Sequence, residues 1–229
     1  METFAAAVPS GPDRRAERPR AANGAGHRHY IAITGSIGVG KSTLTDFLCR
    51  TYKVTPFFEP NDENPYLADF YADMRTWAFR SQLFFLTHKF RIHQELDRNP
   101  GTVVQDRTIY EDAEIFARNL HLSKHIDARD WAVYQELYRT ILRSLRPPDL
   151  MIYLRCNPRT QRQRIRERGR DMEQSIPTAY LKRLGTLYEE WFARFDSAPK
   201  VVIETDRMDY LSDLVHRLDV LKEIERHLV

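Results

Sequence analysis

The chain has 229 residues, 42% of them hydrophobic, with 35 Lys and Arg against 32 Asp and Glu for a net charge of +3. That length suits one domain with a full core, and the near balance of charge calls for neither a nucleic acid nor a membrane partner. No apolar run approaches the roughly 18 residues needed to cross a bilayer. The two cysteines, Cys49 and Cys156, lack metal-type spacing and read as reduced core residues of an intracellular, cytoplasmic protein.

Residues 1–29 are rich in Ala, Pro, Arg and Gly without apolar periodicity, which predicts a disordered tail ahead of a domain over 30–229. An Arg-rich transit peptide is the rival reading, weakened by Asp13 and Glu17. The apolar run Tyr30–Ile33 leads into Gly35-Ser36-Ile37-Gly38-Val39-Gly40-Lys41-Ser42, which matches the phosphate-loop pattern G-x-x-x-x-G-K-[ST] at every fixed position. A helix over Lys41–Arg50 follows, with Leu44, Phe47 and Leu48 on one face. Such a loop turns backbone N–H groups and a helix N-terminus onto phosphate oxygens. Lys41 would reach the β- and γ-phosphates, and Ser42 would ligate Mg²⁺.

Val54–Phe58 predicts a second strand, ending at Glu59-Pro60, and residues 64–98 a long, aromatic-rich helical region closed by Pro100-Gly101. A third strand over 102–105 ends at Asp106-Arg107. Helical patterns over about 110–121 and 127–145 are closed by Pro147-Pro148. Leu150–Leu154 is a nearly all-apolar strand, followed by an arginine-dense segment over 159–170 and a helix from Pro177 to about Phe195. Lys200–Glu204 is the last strand, before an amphipathic helix near 209–228. Short apolar strands separated by helices predict an α/β fold: a five-stranded parallel sheet covered on both faces in three α/β/α layers. Ligands of such sheets bind beyond the carboxyl ends of the strands, so Gly35, Glu59, Asp106-Arg107, the arginine segment and Asp206 should share one rim.

Each polar cluster has a chemical and a plainer reading. Glu59, a carboxylate on that rim, suits the acceptance of a hydroxyl proton during phosphoryl transfer; as a plain residue it caps a helix or sits at the surface. Asp106 suits Mg²⁺ or its waters and Arg107 suits charge on a transferring group; the plain alternative is a local ion pair. Arg164 and Arg168 share a helical face, Gly169 lets Arg170 swing beside them, and the three read as a mobile lid over a triphosphate. A solvated basic helix or a nucleic acid contact are the alternatives, the latter opposed by the interleaved Glu167, Asp171 and Glu173. Tyr71, Trp77 and Gln82 stand out in the aromatic region, Gln82 because a buried amide needs partners such as a base edge supplies.

Together these residues resemble the deoxynucleoside kinase family over nearly all of 30–229, and QDRTIYEDAEIFARNL is most like its bacterial deoxyadenosine kinases. The resemblance assigns GSIGVGKST (Gly35–Thr43) to ATP phosphates, Glu59 to the general base, and Tyr71, Trp77 and Gln82 to the substrate. Phe116 takes the role of the aromatic that stacks on the base. It implies that Arg164, Arg168 and Arg170 form the lid and that Glu173, with Tyr71, binds the sugar 3′-hydroxyl. It also implies that Asp206, Asp209 and Tyr210 hold the adenine of ATP, and that the protein is a homodimer. Lys89 and Asp112 occupy the base-selecting positions and favour adenine, guanine or cytosine over thymine, with Lys departing from the commoner Arg. Thr108 departs mildly from the family's Ser.

The sequence-level expectation is thus an ATP- and Mg²⁺-dependent kinase of deoxyadenosine or a related deoxynucleoside, serving nucleotide salvage. Glu59, Asp106 and Arg107 are the catalytic candidates, and Ser42 and Asp106 the metal ligands. Its rivals are a thymidylate-type monophosphate kinase and a non-catalytic nucleotide-binding subunit.

Overall fold

The computed structural model describes residues 28–58, 64–170, 176–206 and 213–228. Five strands, β1 (Tyr30–Thr34), β2 (Thr55–Phe57), β3 (Val103–Asp106), β4 (Leu150–Arg155) and β5 (Lys200–Glu204), form one parallel sheet in the order β2-β3-β1-β4-β5. The chain moves outward from β1 to β2, returns to β3 and then crosses β1 to reach β4. The order therefore reverses between β1 and β3, where open α/β sheets bind ligands.

Alternate residues of each strand build two cores. Tyr30, Ala32, Val103, Met151 and Tyr153 face a layer of helices that includes α3 (Met74–Arg98), α6 (Ala128–Leu142) and α8 (Thr178–Arg194). Ile31, Ile33, Val104, Leu150, Ile152 and Leu154 face α1 (Lys41–Thr51) and α9 (Leu214–Leu228). Central strands are buried on both sides, whereas β5, at an edge, buries only Val201 and Ile203 and exposes Lys200, Val202 and Glu204. The expected three-layer α/β/α architecture is the observed one.

Two elements differ from the periodicity reading. The helical region over 64–98 is two helices, α2 (Leu67–Ala72) and α3, because Asp73 leaves the helical conformation and its carboxylate caps α3 by accepting from the N–H groups of Arg75 and Thr76. The helix expected near 110–121 is compound. It begins as α4 (Ile109–Glu111), widens into a π-helical segment (Asp112–Ala117) and ends as α5 (Arg118–Leu122). Such widenings concentrate at functional sites. Between β4 and α8, the arginine-dense segment forms α7 (Pro158–Arg168), capped by Asn157 and stopped by Gly169 at φ +71°.

Residues 1–27, most of the expected tail, lie outside the described residues. Arg28, at its end, donates to the carbonyls of Leu96 and Asp97 at 3.0 and 2.6 Å. Among the described residues no helix is long and apolar enough to cross a membrane, and both cysteines are free thiols whose pKa is raised by burial.

Candidate active site

The phosphate loop closes β1 and opens α1. Gly35 and Gly38 have φ of +144° and +78°, and a Cβ on Gly35 would sit 2.5 Å from the Leu154 carbonyl oxygen, so only glycine fits there. Lys41 is buried beneath the loop and its ammonium donates to the Gly35 and Ser36 carbonyls at 2.9 and 3.2 Å. Ser42, at the start of α1, donates its hydroxyl to Asp106 Oδ2 at 2.6 Å. That single bond joins the loop to the end of β3 across the point where the strand order reverses. A hydroxyl and a carboxylate are both hard oxygen donors, the set that suits Mg²⁺.

Arg107, the next residue, has φ +63°, a left-handed conformation that costs a non-glycine residue about 1–2 kcal/mol. It is held from both sides. Its N–H donates to the Ile33 carbonyl at 3.0 Å, and the fully buried Lys89 ammonium donates to its carbonyl at 2.8 Å. The Arg107 guanidinium lies 4.5 Å from the centre of the Phe116 ring. Lys89 thus reaches the site through the backbone of Arg107, a role its spacing on α3 does not reveal.

The π-helical segment packs against α3 and α8, and it buries Asp112 while leaving Phe116 half-buried. Gln82, on α3, is buried, and its Oε1 has no hydrogen-bond partner among the described residues. A buried amide oxygen without a partner fits a site whose hydrogen bonds are completed by a ligand. Tyr71, the penultimate residue of α2, is exposed. Trp77 stacks on Tyr66 at 5.7 Å with Arg80 beside it, so neither neighbour is a predicted site residue.

Three side chains escape the sequence reading. The pKa of Tyr180, at the start of α8, is pushed up to about 12 by burial, with Tyr71 acting in the same direction and the charge of Arg107 against it. It is therefore a neutral hydroxyl at pH 7. Glu111 is fully buried: its Oε1 accepts from the Gly35 N–H at 3.3 Å and the Tyr188 hydroxyl at 2.8 Å, and its Oε2 from the Thr108 N–H at 2.8 Å. The capping box Thr-x-x-Glu was the available signal, though it points to a helix end rather than to a phosphate loop. Thr205, after β5, hydrogen-bonds to the Val39 carbonyl and to Arg164.

Between the phosphate-loop motif and the end of β5, Arg164 donates to the Val39 carbonyl at 3.0 Å, the Thr205 hydroxyl at 3.0 Å and the Thr205 carbonyl at 2.5 Å. Asp206 accepts from the Asn157 N–H and the Thr160 hydroxyl, so it fastens the start of α7 to the end of β5. A cavity of about 550 Å³, lined in part by Ser36, Val39, Asn157, Gln161 and Asp206, opens beside this corner. Arg168 and Arg170 are exposed at the end of α7. Glu59, Glu173, Asp209 and Tyr210 lie outside the described residues, as does part of the segment expected to form the lid.

Known proteins extend this geometry. The family model for deoxynucleoside kinase matches residues 31–229. A deoxyadenosine/deoxycytidine kinase of Bacillus subtilis is 35% identical over 186 residues, 80% of this chain and 85% of that protein. A deoxyguanosine kinase of Lactobacillus acidophilus is 35% identical over 203 residues, 85% of this chain and 88% of that protein. The solved structure of deoxyadenosine kinase from M. mycoides with bound dATP is 27% identical, superposes with a TM-score of 0.75, and covers 86% of this chain and 99% of its own.

Proposed function

The chain belongs to the deoxynucleoside kinase family and phosphorylates a deoxynucleoside, and on that premise we propose that it transfers the γ-phosphoryl group of ATP to the 5′-hydroxyl of deoxyadenosine. Deoxyguanosine and deoxycytidine are its further acceptors, and the reaction serves nucleotide salvage. The observation that carries this reading is the 2.6 Å bond from Ser42 to Asp106, which seats a phosphate loop against the strand end bearing Arg107.

Backbone N–H groups of Gly35–Thr43 and the ammonium of Lys41 hold the donor phosphates. Arg164, Arg168 and Arg170 close over them as a lid, and Asp206, Asp209 and Tyr210 border the adenine. Ser42 and Asp106 would hold Mg²⁺, which when bound neutralises charge on the phosphates. Glu59 takes the proton of the 5′-hydroxyl; the described chain reaches Phe58 just beyond β2, and Glu59 is the next residue. Arg107 steadies Glu59 and the charge that develops during transfer. Tyr71 and Glu173 hold the sugar, Phe116 stacks on the base, and Trp77 and Gln82 border it. Lys89 and Asp112 set the base preference, with Phe85 narrowing the pocket one turn before Lys89.

Exposed Val133 and Leu137, one turn apart on α6, support assembly as a homodimer. The free thiols of half-buried Cys49 and buried Cys156 support residence in the cytoplasm.

The names of the relatives span adenine, cytosine and guanine, so a panel of the four deoxynucleosides with ATP and Mg²⁺ tests the base assignment. Deoxyadenosine is expected to give the highest kcat/KM and thymidine the lowest, by about 10²-fold or more, because buried polar groups matched to one base edge are left unpaired by another. Thymidine equal to deoxyadenosine would remove Lys89 and Asp112 from this role.

A further inference from the structure

We propose that Glu111 is a positioning residue for phosphoryl transfer, fixing the angle between the phosphate loop and the strand end that carries Asp106 and Arg107. Its carboxylate is fully buried and receives donors from three separate segments: Gly35 N–H at the base of the loop, Thr108 N–H with the Thr108 hydroxyl 3.4 Å away, and Tyr188 O–H on α8. A carboxylate has about four lone-pair positions, and these donors use them all.

The geometry goes beyond capping. A capping box needs only the bond to Thr108, whereas the bond to Gly35 crosses 76 residues of sequence to the neighbouring strand end. Ser42 and Asp106 make a second side-chain connection between the same two loops, beyond the backbone bond from Arg107 N–H to the Ile33 carbonyl where the β1–β3 pairing ends. One attachment lies at the first residue of the phosphate loop and the other just past its last glycine. The strand pairing stops at Ile33, so on this side the loop beyond it is held by these two side-chain bonds; two fix its orientation, whereas one leaves it free to pivot. In-line transfer is sensitive to such a pivot, since misplacement by about 1 Å costs on the order of 10²-fold in rate.

Glu111→Gln separates the two roles. The amide oxygen retains the Thr108 N–H, and the amide NH₂ donates to the Tyr188 oxygen, so the Gly35 N–H loses its acceptor. Tyr188→Phe is the control, because it removes a donor and leaves both loop attachments. The assay uses the deoxynucleoside that the wild-type enzyme phosphorylates best, so it does not depend on the base preference. For Glu111→Gln, kcat is expected to fall on the order of 10²-fold while KM for the deoxynucleoside stays within about threefold; Tyr188→Phe should keep kcat within about threefold even where its Tm falls as far. Should the Gln variant not fold, Glu111→Asp, whose shorter side chain reaches Thr108 but not Gly35, should show the same loss. The proposal is overturned by a kcat within about threefold of wild type in the folded Gln or Asp variant. An equal loss in Tyr188→Phe also overturns it, since the effect would then follow stability alone.

Discussion

Replacing Glu59 by Gln should lower kcat by about 10²–10⁴-fold, the range a positioned proton acceptor contributes, with ATP affinity within about threefold of wild type. The 5′-hydroxyl is a weak nucleophile until its proton has somewhere to go, and the amide keeps the volume of the carboxylate but cannot take that proton. In the proposed site ATP is held by other groups, the loop N–H donors and Lys41, whose ammonium sits on the Gly35 and Ser36 carbonyls after β1. Single-turnover kinetics with separate measurement of ATP binding distinguishes the two effects. Near-normal turnover would move the role to Asp106, the second carboxylate of the rim, and a matched loss of ATP affinity would mean that Glu59 supports the loop instead.

Lys41→Met should lower kcat/KM by about 10²–10³-fold, as removal of a single preorganised donor from a site of developing charge does elsewhere. The ammonium is buried and sits on the Gly35 and Ser36 carbonyls at 2.9 and 3.2 Å, already beside the loop proposed to cradle the phosphates. A phosphate oxygen is a charged and therefore stronger acceptor than those carbonyls, so the ammonium is held ready rather than locked away. Methionine matches the length of the stem and leaves two carbonyls without their donor, a cost of about 1–3 kcal/mol where they are buried. A lowered Tm is thus part of the expectation, and kinetics should be read at a temperature where the variant is fully folded. A kcat/KM within about tenfold of wild type would take Lys41 out of the donor site.

What was legible in the sequence follows from where the partners of each residue lie. The strands are short apolar runs ended by polar residues, so all five were visible within their own few residues. The phosphate loop is likewise local: its glycines, lysine and serine are adjacent. Asp73 escaped because aromatic residues recur at helical spacing on either side of it, and spacing does not register a cap that interrupts the run. The widening at Asp112–Ala117 changes no residue type, so periodicity alone reads it as ordinary helix.

Within the site, the residues missed are those that work through distant partners. Glu111 meets Gly35 and Tyr188 across 76 and 77 residues, and Thr205 meets Val39 across 166. Spacing on α7 placed Arg164 and Arg168 on one face, but it could not show that Arg164 clasps the phosphate loop and the end of β5 together. The same holds for Lys89: its position on α3 matches a base-selecting residue, while its observed bond is to the backbone of strained Arg107. A residue can do both, since an ammonium has three donors. Family membership rests on the motifs and the overall match; these bonds describe how this particular chain holds them in place.

The nature of the acceptor decides between a nucleoside kinase and a monophosphate kinase. A nucleoside acceptor needs a carboxylate to take its hydroxyl proton, the role proposed for Glu59, whereas a monophosphate acceptor needs cations around a second phosphate. Purified wild-type protein should be given ATP, Mg²⁺ and either deoxyadenosine or deoxyadenosine 5′-monophosphate, and the products separated by charge. Conversion of the nucleoside to its 5′-monophosphate, with no diphosphate formed from the monophosphate, is the result predicted. Diphosphate formed from the monophosphate while the nucleoside is left unchanged would contradict it.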